Sequence, residues 1–208
     1  MSSSLSVYLL DIAATRALIG SRDQQLLAVI RDKHGAELAR DDDEFSFAIE
    51  EEGAPTAFEA LTAVVNGGPF SDDPDHAFQY GYAYLRLCDV TGSFLNNNCF
   101  TPHRGNWLAD VDTELSARGI TAVATEDFFF GTPPDSLPQG AETPDSGEWT
   151  HEQCTKALAQ YEAAQLIMDE GRQTADLEPG IDRAVEQCIG WIRHAAARPG
   201  YGIIGFHF

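Results

Sequence analysis

A chain of 208 residues, 43% of them hydrophobic, is long enough to bury a full-sized core as one domain. Thirteen basic residues against 33 acidic give a formal net charge of -20, a field that repels phosphate backbones and disfavours nucleic-acid binding. No run approaches the roughly 18 consecutive apolar residues of a membrane span, and the N-terminus lacks a basic region and is broken by Asp11, so neither a membrane segment nor a secretory leader is expected and the chain reads as cytoplasmic.

From the N-terminus, Leu5 to Leu10 alternates with period two and predicts a strand. Asp11 ends it and caps a short helix through Arg16 and Ala17. Ser21-Arg22-Asp23-Gln24 has capping-box spacing, which predicts a helix from Arg22 to Lys33 stopped near Gly35. Residues 36–53 are the most acidic segment, with Phe45, Phe47 and Ile49 between the charges, and read as a frayed helix or a loop. Pro55 opens a clearer helix with Phe58, Leu61 and Val65 inward, closed by Asn66-Gly67-Gly68-Pro69.

Residues 73–89 carry the strongest architectural signal. Asp73 suits an N-cap and Pro74 the first helical position, and Phe78, Tyr82 and Leu85 share one face while Ala77, Tyr80, Tyr84, Leu87 and Cys88 cover most of the rest. A helix apolar nearly all round is a buried one, so the other segments are expected to wrap it.

A polar loop, residues 91–105, follows, and Asn106 caps a helix carrying Trp107, Leu108, Val111 and Leu115, ended by Gly119. Ile120 to Thr125 reads as a second short strand, and Glu126 to Phe130 is expected to bury its aromatics. Residues 132–147 hold four of the ten prolines without periodicity and read as a surface loop, hinge or lid. Thr150 with Gln153 predicts another capping box, opening a helix with the stripe Cys154, Leu158, Tyr161, Gln165 and Met168. Ile181, Val185, Cys188, Ile189 and Ile192 predict a second, ended by Arg198-Pro199-Gly200. Tyr201 to Phe208 reads as a strand, weakened by Gly202 and Gly205, lying beside the N-terminal one.

The expected fold is therefore α+β: a helix-dominated single domain around the buried helix 73–89, with a small sheet joining the N- and C-terminal strands. The four cysteines, Cys88, Cys99, Cys154 and Cys188, show no CxxC pairing and read as buried free thiols.

The densest collection of hydrogen-bonding side chains is the loop carrying Asn96, Asn97, Asn98, Cys99, Thr101, His103, Arg104 and Asn106, flanked by Phe94, Phe100 and Trp107. Loops held by a rigid scaffold are where sites form. Arg104 suits an anion clamp, His103 proton transfer near neutral pH, and the amides of Asn97 and Asn98 the orientation of a polar ligand. Asparagine and proline are also ordinary turn formers, and that structural reading stands beside the functional one. Cys99 with His103 is the one thiol–imidazole candidate, and Tyr80, Tyr84 and Trp107 are candidates to line a pocket with the loop. His151 and Cys154 have ligand-like spacing but no further partners, and the run Asp41-Asp42-Asp43-Glu44 lacks the glycine and terminal glutamate of a calcium loop, so no metal site is expected. No Walker loop, dinucleotide fingerprint, G-x-S-x-G elbow or H-E-x-x-H occurs, and no cofactor is expected.

The stretches SVYLLDIAATRALIGS, HAFQYGYAYLRLCDVTGSFLNNNCFTPHRG, GEWTHEQCTKALAQYEAA and EQCIGWIRHAAARPGYGIIGF together resemble a family of uncharacterised actinobacterial proteins, over nearly the whole chain. That resemblance implies a single-domain cytoplasmic bacterial protein and carries over no catalytic residue. Two function classes remain open: a non-catalytic module binding a basic protein partner, and an enzyme acting on a small polar or anionic metabolite through residues 96–106. A phosphate-mimicking decoy also fits the charge, but the acidic residues are scattered.

Overall fold

The computed structural model describes residues 2–140, 143–166 and 180–208 in full and 167, 168 and 179 by backbone alone. In chain order the elements are β1 (Leu5–Asp11), α1 (Ile12–Arg16), α2 (Gln24–Glu44), α3 (Ser46–Glu51), α4 (Ala57–Asn66), a 3-10 turn (Pro74–His76), α5 (Ala77–Thr91), β2 (Ser93–Phe94), α6 (Trp107–Ala117), α7 (Asp127–Phe130), β3 (Asp145–Trp149), α8 (His151–Met168), α9 (Pro179–Ala196) and β4 (Tyr201–His207). The class is α+β. The chain forms two compact units, one from Met1–Ile12, Gly92–Gly131 and Asp145–Phe208, the other from Ala13–Thr91 and Thr132–Pro144.

The first unit holds the sheet, antiparallel throughout in the order β2-β1-β4-β3. The two apolar terminal strands pair along their whole length, from Leu5 opposite His207 to Asp11 opposite Tyr201, as their shared character predicts. One sheet face, with Leu5, Val7, Leu9, Trp149 and Ile203, joins Val111 and Leu115 of α6, Phe128 of α7, Cys154 of α8 and Val185, Cys188, Ile189 and Ile192 of α9 in one core. Each Val, Leu, Ile or Phe among them contributes about 1.5–3 kcal/mol when fully buried. Tyr8, Leu10, Ile204 and Phe206 on the other face are buried as well. The predicted capping box of α8 is present: Gln153 N donates to Thr150 Oγ1 at 3.2 Å, and Thr150 N to Gln153 Oε1 at 2.8 Å.

Three expectations are corrected. Ile120 to Thr125 is not a strand: Ile120 and Val123 are buried, but the amides of Thr121 and Ala122 donate to Gln160 Oε1 and that of Thr125 to Asp112 Oδ1, so side chains take the place of a ladder. The proline-rich segment ends earlier than expected, because residues 145–149 form β3; positions 141 and 142 of that segment lie outside the described residues. Of the aromatics in α7 only Phe128 is buried, and Phe130 is 72% exposed, because consecutive residues of a one-turn helix point about 100° apart.

In the second unit α4 packs on both α2 and α5. Helix α5 is buried as its all-round apolar surface predicts, with Ala77, Phe78, Tyr80, Ala83, Tyr84, Leu87 and Cys88 inside and Tyr82 and Leu85 half-buried. It organises this unit, while the sheet carries the other core. Asp73 caps the turn before it, accepting from Asp75 N at 3.0 Å. Helix α2 starts at Gln24 on an Asp23 cap and does not stop at Gly35: it kinks at His34 and runs on to Glu44. Tertiary ties hold that extension, since Arg86 reaches Asp41 at 3.1 Å and Asp42 accepts from Ala57 N at 2.7 Å. Thr56 and Glu59 form the capping box of α4, and Phe58 is half-buried under Arg31, whose guanidinium carbon lies 4.8 Å from the ring centroid.

Candidate functional site

Residues 92–106 run along one edge of the first unit's sheet and are wired to it. Leu95 N donates to Val7 O at 2.8 Å, continuing the short pairing of β2 with β1. Asn97 is buried, and its Nδ2 donates to Leu5 O and, at 3.0 Å, to Thr101 Oγ1. The same Thr101 hydroxyl donates to Leu5 O at 3.0 Å and accepts from Leu5 N at 3.1 Å. Asn96 faces α9: its carbonyl accepts from Trp191 Nε1 at 2.8 Å and its Oδ1 from Gln187 Nε2 at 3.0 Å. Gln187 Oε1 in turn accepts from Cys99 N at 3.1 Å, and Phe100 packs on Trp191 with ring centroids 5.1 Å apart. The loop is thus clamped between β1 and α9 by side-chain amides.

The predicted site residues divide accordingly. Asn97 points inward and bonds backbone, whereas Asn98, Arg104 and Asn106 are exposed. Trp107 is half-buried, and its Nε1 has no hydrogen-bond partner among the described residues. Burial pushes the Cys99 thiol up, with Arg183 opposing, and burial then His207 push His103 down, so both groups are favoured in their neutral forms at neutral pH. Tyr80 and Tyr84 belong to the second unit, where both are buried; Tyr80 Oη accepts from Ser71 N at 2.7 Å. Cys154 Sγ faces Trp149 O at 3.8 Å, and burial raises its pKa to about 12, which fits an inert core thiol.

Neither His207, which meets His103, nor Asp145, which meets His207, was singled out from the sequence. His207 of β4 lies with its ring centroid 5.3 Å from that of His103, and Asp145 of β3 brings Oδ2 to 3.9 Å from His207 Nδ1. Only the register of β1, β3 and β4 joins them, since Leu5, His207 and Asp145 are direct cross-strand partners. Among the described residues no three His, Cys, Asp or Glu side chains come together to hold a metal ion.

A family model described as a domain of unknown function, DUF7691, matches residues 1–208. The chain belongs to this family. The expectation of an uncharacterised family over nearly the whole chain is met, and the match brings no assigned residue with it. No curated protein and no solved structure matches this DUF7691 member. None of its described helices is long and apolar enough to cross a membrane.

Proposed function

We propose that this DUF7691 protein is a non-catalytic interaction module that takes a basic protein segment on its second unit. The observation that carries the reading is residues 41–52, where seven carboxylates and no base flank Phe47 in the chain, and Phe47 is 69% exposed. Asp41 and Asp42 are committed to Arg86 and to Ala57 N, but Asp43, Glu44, Glu50, Glu51 and Glu52 are exposed. Phe45 fixes the segment, packing at 5.0 Å on Phe78 and 5.1 Å on Tyr82. An exposed apolar side chain flanked in the chain by carboxylates suits an Arg- or Lys-rich segment: the charges steer encounter, and the aromatic supplies a desolvated contact. Charge kept for solubility alone assigns Phe47 no role, and that difference is the test.

The probe is a fluorescein-labelled peptide alternating Arg and Lys with Leu, followed by anisotropy across a salt series. Wild-type protein is expected to bind with affinity falling as salt rises, and Phe47→Ala to bind about tenfold more weakly at the same salt slope. Equal affinities for Phe47→Ala and wild type would reduce the binding to unspecific attraction and overturn the reading.

A second reading, an enzyme on a small anionic metabolite, is favoured by exposed Arg104 next in the chain to His103, whose ring nitrogens have no hydrogen-bond partner among the described residues. It places the ligand on residues 96–106 of the first unit, far in sequence from the acidic segment.

A further inference from the structure

Buried polar atoms in folded proteins are nearly always hydrogen-bonded, and an exception asks for a cause. His76 follows the rule, with Ser71 Oγ at 2.9 Å from Nδ1 and Glu52 O at 3.2 Å from Nε2. His103, only 8% exposed, has both ring nitrogens buried and neither bonded among the described residues. Its ring faces His207, and Phe129 of α7 closes edge-on over His207 with centroids 4.7 Å apart. Asp145 from β3 brings its carboxylate within ion-pair reach of His207, with Oδ2 at 3.9 Å from Nδ1. The same two histidines stand where the start of the chain is tied down. Ser3 and His103 exchange both backbone hydrogen bonds at 2.9 Å, Ser4 and Phe208 exchange theirs at 3.0 and 2.9 Å, and Leu5 pairs with His207.

We propose that His103 and His207 form a proton-operated latch on residues 3–5, closed while both imidazoles are neutral and opened when acid charges the pair. Neutral rings pack against each other and Phe129; charged ones stand side by side in a buried setting, with Asp145 beside His207 offsetting part of the cost. Burial pushes both imidazoles below the ordinary histidine value, with His207 adding to the effect on His103 and Asp145 opposing it on His207. Burial pushes the Asp145 carboxyl up, with His207 opposing. In the open form both histidines return to about 6.5, so the open form takes up protons first. The latch is then at full strength above that value and weakens as pH falls through it, levelling off only once the closed-state histidines also protonate.

Residue-resolved amide exchange on the full chain, corrected for the intrinsic rate and compared at about pH 7.5 and about pH 5, reads the latch directly. Protection at Ser3, Ser4, His103 and Phe208 is expected to fall severalfold on acidification while α9 amides such as Ile189 hold, and the fall is expected to be largely lost in His103→Phe. Equal protection at both pH values, or the same fall in His103→Phe, would overturn the latch. If His103→Phe does not fold, NMR titration of the wild-type imidazoles decides. Midpoints below about 6.5, tracked by the Ser3 amide shift, support it, and midpoints at or above that value refute it.

Discussion

Gly147→Ala is expected to destabilise the first unit by about 3 kcal/mol or more, at the upper end of overpacking effects. A Cβ on Gly147 would lie 2.0 Å from Asp127 O and 3.0 Å from Phe128 Cα, so it meets the backbone of α7 and no flexible side chain that could step aside. The approach is matched from the other side, where a Cβ on Gly131 would lie 2.0 Å from Ser146 O. Across the ladder, Gly205 stands opposite Gly147, and the ring of Phe128 occupies the place a side chain there would take. Alanine must therefore lift α7 off the sheet, exposing Phe128, or part β3 from β4. Urea denaturation followed by tryptophan fluorescence measures the loss. A change within about 0.5 kcal/mol, ordinary for a surface position, would mean that α7 does not lie on β3.

The second large effect is at Trp149, the C-terminal residue of β3. Its side chain is fully buried, its ring lies 4.7 Å from Phe128 and 6.2 Å from Trp191, and its Nε1 donates to Ala124 O at 2.9 Å. Trp149→Ala is expected to cost about 3–5 kcal/mol, the range for a large aromatic removed from a core. Trp149→Phe keeps an aromatic ring but drops the hydrogen bond that ties residues 120–125 to the sheet, so it is expected to fall between the two. The same denaturation series orders the three proteins. Trp149→Ala as stable as wild type would place the ring outside the core.

The helices with clear periodicity were legible because their signals are local: the Thr150–Gln153 box sits within one turn, and α5 declares its burial by its own composition. Caps were read less well, since Asn106 makes no side-chain cap on α6 and Asp23, not a Ser21–Gln24 box, caps α2. The pairing of β1 with β4 was legible because neither apolar strand is stable alone. What failed depends on distant partners. Asp145-Ser146-Gly147-Glu148-Trp149 has no alternation, and it is a strand because Gly147 lets α7 pass over it beside Gly205. Ile120 to Thr125 has strand composition, but Asp112 and Gln160 claim its amides. The extension of α2 beyond Gly35 rests on Arg86 and on Ala57 N, neither of them near it in sequence. At the loop, polar density was visible, but not that Asn97 would bond backbone while Arg104 faced solvent. Nothing near His103 in the chain announced His207, which only the strand register delivers.

The measurement that bears most directly on the interaction reading is a map of amide chemical shifts on adding the Arg- and Lys-rich peptide. The account predicts perturbations concentrated on residues 41–52, Phe47 foremost, and their loss at high salt. Shifts concentrated on residues 96–106 with 41–52 silent, or none at all, would contradict it.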